Sequence, residues 1–242
     1  MRTPRLYHPK LTTGPLTLDE DEGHHAARVL RMEPGDPVVL FDGQGGLAEG
    51  RIATVERGRV TVEAETPRRA PFDFKYRVTL AVAMSKAHRQ SYLVEKCTEL
   101  GVAALWPILS ERSVTRPAEA AVEKWSRRAI EAAKQSLRAW VPQVAPSQSL
   151  TEAVARRSEF HLCVVAAPSS AESFSQTLAA LPSDANILAF VGPEGGWSPT
   201  ELQSFASADI RPVALSPSVL RTETAAVAVC AAAAMLGCGE AR

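Results

Sequence analysis

The chain lacks the features that mark several large protein classes. No apolar run in its 242 residues reaches the ~18 residues of a membrane span, and Ala225 to Leu236 is too short and too rich in alanine to serve as one. The N-terminal stretch Met1-Arg2-Thr3-Pro4-Arg5-Leu6 has no apolar core of the signal-peptide kind. The four cysteines, Cys97, Cys163, Cys230 and Cys238, show no CxxC spacing, and no Cys/His pair is spaced for a metal. That argues against a zinc module and a disulfide framework. The expectation is a cytoplasmic protein with reduced thiols, no membrane and no metal. A nucleophile elbow and a P-loop lysine are both missing, which counts against a hydrolase or a phosphate-loop transferase.

Net charge is also missing, since 27 Lys+Arg balance 27 Asp+Glu. The balance is not local. Residues 73–140 carry 12 basic and 7 acidic residues, while residues 141–242 carry 5 and 9. A polyanion would be drawn to the middle third, although such an excess also suits a solvated face.

Two stretches near the C-terminus organise the rest. Gly192-Pro193-Glu194-Gly195-Gly196-Trp197 follows the apolar run Ile187 to Val191, and Leu215-Ser216-Pro217-Ser218-Val219-Leu220-Arg221-Thr222-Glu223-Thr224 follows Pro212 to Leu215. Each reads as a buried strand, a turn and a helix start. Ser198, Pro199 and Glu201 make a capping box with proline at the first helical position. The second helix, from about Thr222, is nearly all small and apolar and should be buried closely. The glycines fit neither a dinucleotide fingerprint nor a P-loop, so alone they read equally well as a tight turn.

Residues 1–71 read as a β-rich unit with strands near Val38–Phe41, Leu47–Val55 and Val60–Ala64, a turn at Glu56-Arg57-Gly58, a flexible tip at Gln44-Gly45-Gly46 and a short helix at His24–Leu30. His24 and His25 read as helix-terminal polar residues. Thr66 to Pro71 marks a boundary. Residues 72–242 then alternate. Strands fall at Arg77–Ala83, Ala103–Ile108 and Phe160–Val165, and helices at Arg89–Leu100, Ala118–Trp140 and Ala171–Leu181. Repeated βα units imply a parallel, helix-covered sheet. Ligands on such sheets sit at the carboxyl ends of strands, here the loops after Val165, Val191 and Leu215.

The order and spacing of several short motifs carry a resemblance along nearly the whole chain. They are Pro4-Arg5-Leu6-Tyr7, His25 to Arg31, Gly35-Asp36, Phe41-Asp42-Gly43, Ser85-Lys86, Glu95 to Val102, Ser110 to Ser113, Glu131 to Ser136 with Arg138, and the two C-terminal stretches. Together they resemble the 16S rRNA (uracil-N3)-methyltransferase family of the SPOUT class. One departure is Ser136-Leu137, where the family often has Cys-Gly.

The resemblance implies an α/β protein, with a C-terminal trefoil-knot (SPOUT) domain behind an N-terminal PUA-like β-barrel. It implies S-adenosyl-L-methionine held by Ala166, Val191, Gly192, Gly196, Leu215, Ser216, Val219 and Leu220. It also implies a homodimer acting on a uridine near the 3′ end of 16S rRNA in the assembled small ribosomal subunit. Arg5, Arg28, Arg31, Lys86, Arg112 and Arg138 are the candidate RNA contacts.

The chemistry makes its own demands. Uracil N3 bears a proton and lies on the pairing edge, so the base must be unpaired and must lose that proton. Arg221 and Glu223 at the last helix start, with Glu194 as a second acid–base candidate, are placed for this. Glu223 equally suits plain stabilisation of a helix N-terminus. Lys96 and Glu99 read as a surface pair or an RNA contact, and Trp125 and Trp140 as core or dimer contacts. Two other readings fit the same residues. One is a non-catalytic RNA-binding module, and the other is a methyltransferase acting on a ribose 2′-oxygen.

Overall fold

A computed structural model describes residues 3–56 and 59–237, with the backbone alone described at 87, 88 and 237. Cys238 and the expected turn at Arg57-Gly58 lie outside the described residues. Two compact units result. One is residues 1–72 with 130–141, and the other is residues 73–129 with 142–242. The sequence reading had kept 130–141 with the second unit.

The first unit is one mixed sheet. Its strands are β1 (Arg5–Tyr7), β2 (Gly14–Thr17), β3 (Pro37–Phe41), β4 (Gly46–Glu56), β5 (Arg59–Ala64) and the short β6 (Arg68–Arg69), in the order β1-β3-β4-β5-β2 with β6 on β4. Period-two alternation turns Val38, Leu40, Ile52, Val60 and Val62 onto one core with Leu6 and Leu16. Helix α1 (Glu20–His24) starts earlier than expected, because Asp19 accepts from the Glu22 backbone N–H at 2.8 Å as its cap. It continues as a π-helical turn over His25–Val29.

The tip at Gln44-Gly45-Gly46 is not free, contrary to expectation. Gln44 bridges Trp140, and Gly45 donates to Ala139 O at 3.0 Å and accepts from Ala70 N at 2.7 Å. A Cβ on Gly45 would lie 2.4 Å from the Trp140 ring, so glycine is required at this left-handed position.

The segment 130–141 joins this unit through a second cluster, with Ala133 and Ala139 against Phe41 and Leu47. A buried ion pair accompanies it. Lys134 Nζ lies 2.6 Å from Glu22 Oε1, with the two side chains 6% and 7% exposed. Glu22 Oε2 accepts from the Tyr7 N–H at 3.1 Å, and Lys134 also reaches Glu131 at 2.9 Å.

In the second unit all strand pairs are parallel. The strands are β7 (Arg77–Val82), β8 (Ala104–Leu109), β9 (Gln143–Val144), β10 (Gln148–Ser149), β11 (Leu162–Ala166), β12 (Asn186–Val191) and β13 (Arg211–Val213). The order is β10-β8-β7-β12-β11-β13, with β9 also on β8. Between them run α2 (Ala87–Glu99), α3 (Glu119–Gln135), α4 (Leu150–Ala155), α5 (Phe174–Ala179), α6 (Pro199–Ser207) and α7 (Thr222–Gly237). β7 and β12 lie side by side in mid-sheet and are buried along almost their whole length, as a strand covered on both faces must be.

Helix α3 stops at Gln135, not near Trp140. Leu137 adopts φ +58°, Arg138 N donates to Ala133 O at 2.9 Å, and Leu137 N to Lys134 O at 3.4 Å. That is a Schellman closure with leucine in the place glycine prefers. The departure noticed in the sequence is therefore a strained helix end.

The last crossing decides the topology. β13 is an edge strand, yet α7 packs against α2, α5, β7 and β12 in the middle of the sheet. Ala225, Ala226, Val229, Cys230, Ala233 and Ala234 form its buried face, and their small volume allows the close approach. This threaded return is the trefoil knot of the expected α/β fold. Buried Cys97 and Cys230 are free thiols, and the neighbouring Cys230 thiol together with burial raises the Cys97 thiol pKa well above its ordinary value. No helix among the described residues is long and apolar enough to cross a membrane.

Candidate active site

Three loops at the carboxyl ends of β11, β12 and β13 enclose a cavity of about 280 Å³. The βα rule predicted this location, and the local sequence shapes it. Gly196 closes a turn onto Pro193 O at 2.9 Å with φ +67°, a left-handed conformation suited to glycine. At Gly192 a Cβ would lie 2.9 Å from the Trp197 ring, so the backbone runs close beneath that indole. Trp197 is in turn held edge-on to Phe205 at 4.9 Å. The capping box then starts α6, Ser198 Oγ accepting from Glu201 N at 3.1 Å and Glu201 Oε2 accepting from Ser198 N at 2.8 Å. Thr222 Oγ1 donates to Gly192 O at 2.9 Å and ties the start of α7 to the glycine turn.

All eight residues expected to hold a cofactor line this one cavity. Among the described lining residues Glu194 alone carries a charge. The rest is apolar side chain, hydroxyl and backbone. Such a lining fits a nucleoside-bearing ligand with a positively charged sulfonium. Flat apolar surface and backbone groups suit the base, and the lone carboxylate suits the cation.

The expected catalytic trio divides. Glu194 lines the cavity, and Glu223 lies on the first turn of α7, next to the lining residue Thr222. Glu223 is 8% exposed, and its Oε2 is buried without a hydrogen-bond partner among the described residues. Arg221 is exposed, outside the cavity lining, and its side chain makes no ion pair among the described residues. The cation at this site is Arg89, which sequence reading missed. Its Nε lies 3.5 Å from Glu223 Oε1 and its Nη1 3.9 Å from Glu194 Oε1. Arg89 sits on the first turn of α2, after β7, so adjacency of β7 and β12 brings it to the other two. Its position just after Ser85-Lys86 was the one available signal.

The expected RNA contacts differ in exposure. Arg28, Arg31, Lys86 and Arg112 are exposed, and Arg5 is half-buried on β1. Arg112 donates to Gly195 O at 2.9 Å and so braces the glycine turn. Arg138 is 4% exposed, with its guanidinium 5.9 Å from the Phe72 ring centroid, because the Schellman turn folds it inward. Lys96 pairs with Glu95 at 2.8 Å and Glu99 at 2.9 Å, as a local charge cluster would. Trp125 is core, and Trp140 Nε1 donates to Pro71 O at 2.9 Å.

The chain is similar to known RNA methyltransferases. An RNA methyltransferase domain model matches residues 73–234, and an RNA methyltransferase PUA domain model matches residues 18–65. Ribosomal RNA small subunit methyltransferase E of Mycobacterium bovis is 34% identical over 90% of this chain and 86% of its own, and that of Bacillus subtilis is 31% identical over 85% and 84%. Among solved structures, ribosomal RNA small subunit methyltransferase E from Neisseria gonorrhoeae bound to S-adenosyl methionine superposes with a TM-score of 0.89 at 32% identity, covering 98% of each chain. A methyltransferase from Legionella pneumophila in complex with bound SAM gives 0.86 at 30%, covering 95% and 96%.

Proposed function

The chain belongs to the ribosomal RNA small subunit methyltransferase E family, and from that premise we propose that it methylates N3 of one uridine near the 3′ end of 16S rRNA. The substrate is the assembled small subunit, the enzyme acts as a homodimer in the cytoplasm, and the methyl donor is S-adenosyl-L-methionine. The observation that carries the reading is a buried carboxylate oxygen, Glu223 Oε2, without a hydrogen-bond partner among the described residues, beside a cavity lined by every residue expected to hold the donor.

When bound, the donor would supply an electrophilic methyl group on a sulfonium sulfur, the S–CH3 bond breaking with its electron pair left on sulfur as the neutral thioether of S-adenosylhomocysteine. Ala166, Val191, Gly192, Gly196, Leu215, Ser216, Val219 and Leu220 would hold it, and Glu194 would face its positive charge. The protein must then present an unpaired uracil and take its proton. Glu223 accepts the N3 proton, which leaves the electron pair on N3 free to form the new bond. The start of α7 adds partial positive charge that favours the anionic base over the neutral one. Fixed geometry supplies much of the remaining acceleration, and the interlocked glycine turn, Thr222 and Arg112 provide it.

Small subunits purified from cells lacking this enzyme test the proposal. Incubated with the protein and S-adenosylmethionine, they should gain one methyl group that mass spectrometry maps to a uracil N3 of 16S rRNA. A methyl group on a ribose, or none on the rRNA, overturns it.

A further inference from the structure

The arrangement of Arg89 goes beyond the pairing expected from the sequence. Glu223 is held at one oxygen only. Oε1 faces Arg89 Nε at 3.5 Å, while Oε2 is buried and has no hydrogen-bond partner among the described residues. A buried carboxylate oxygen left bare is costly, and native proteins seldom keep one that serves no purpose. Arg89 also reaches across to Glu194 on the glycine turn, at 3.9 Å. Both contacts exceed the length of a formed hydrogen bond, so the guanidinium is aimed at two carboxylates and saturated by neither. A planar fork can address two carboxylates from one position, which a point charge cannot.

We infer that Arg89 is a positioning residue for the reaction, pinning one oxygen of Glu223 so that Oε2 stands as the open acceptor of the site. The inference rests on the reading of Glu223 as the base. Three chain segments meet at this point. The start of α2 brings Arg89, the loop after β12 brings Glu194, and the start of α7 brings Glu223. Arg89 thereby links the element that carries the acceptor to the loop that lines the cavity. Arg221, exposed and outside the lining, is not needed for that link.

The test uses the full-length protein and two readouts. In a 15N-labelled sample the Arg89 Nε–H, assigned by its disappearance in Arg89→Lys, should give a resolved resonance that shifts or vanishes in Glu223→Gln. A resonance indifferent to that change overturns the pairing. Single-turnover methylation of small subunits is the second readout, with S-adenosylmethionine affinity and melting temperature measured alongside. Arg89→Met should slow the step roughly 30-fold or more with cofactor affinity unchanged, and Arg89→Lys should recover part of the loss. The double variant Arg89→Met/Glu223→Gln should be no slower than Glu223→Gln alone. A normal rate in Arg89→Met beside a slowed Glu223→Gln sinks the Arg89 inference alone. A normal rate in Glu223→Gln sinks the assignment of the base as well.

Discussion

Each unit of the protein keeps a buried glutamate near an arginine or lysine, and the two are finished differently. In the first unit Glu22 is closed. Lys134 sits 2.6 Å from one oxygen, the Tyr7 N–H donates to the other, and Glu131 shares the lysine. In the second unit Glu223 is open. Its cation is 3.5 Å away and shared with Glu194, and Oε2 has no hydrogen-bond partner among the described residues. Burial alone does not separate them, since both carboxylates are nearly inaccessible. Completeness does. A satisfied network specifies structure, whereas an unsatisfied one holds capacity for a reacting group. The contrast predicts that damage to the first should appear as stability and damage to the second as rate.

The largest effect should come from breaking the closed pair on one side. Lys134→Met leaves Glu22 buried without its cation and should cost about 3–5 kcal/mol of unfolding free energy by chemical denaturation. Replacing both partners, Glu22→Met with Lys134→Met, should recover most of this. The remaining loss should be about 1–2 kcal/mol, because the Tyr7 N–H then lacks its acceptor. If the double variant is as unstable as the single, the pair contributes more than mutual compensation.

On the open side Glu223→Gln should do the reverse. The single-turnover rate should fall roughly a hundredfold, equivalent to about 2.7 kcal/mol in the barrier. Denaturation should show a change of under about 1 kcal/mol, the size of a helix-end charge effect. A stability loss with an unchanged rate would make Glu223 a second closed site and erase the contrast.

Next in size is the cavity floor. Gly196→Val forces a β-branched residue into φ +67°, at a strain of about 1–3 kcal/mol. No atom lies near its Cβ, so the fold should survive. Calorimetric affinity for S-adenosylmethionine should drop by roughly tenfold or more. An unchanged affinity would remove the glycine turn from the cofactor site.

The smallest expected effect concerns the helix end that delivers Arg138 and the rest of segment 130–141 to the first unit. Leu137→Gly should be neutral or stabilising within about 1 kcal/mol, since it relieves the left-handed strain and surrenders a half-buried side chain. Leu137→Ile should be destabilising, because a β-branched residue tolerates φ +58° worse. Melting temperatures of the pair would show whether strain or burial governs this turn.

Local pattern determined a large part of this protein. The βα alternation, the capping box at Ser198, the glycine turn and the small-residue helix follow from periodicity and backbone preference, which act over a few residues. Loops at strand ends then follow from the parallel sheet, which is why the eight cavity residues were legible.

Four features depended on distant partners and left little local trace. β1 has three residues and exists only because β3 offers it a parallel edge. The Gln44-Gly45-Gly46 tip is held still by Trp140 and Ala139, far along the chain. The segment 130–141 leaves the helix at Leu137 and packs with the first unit, a choice made by burial and the Glu22–Lys134 pair. Arg89 faces Glu223 because β7 and β12 are neighbours in the sheet and α7 threads back over them. A charge selects its partner by distance in space, and chain order does not encode that distance until the fold closes.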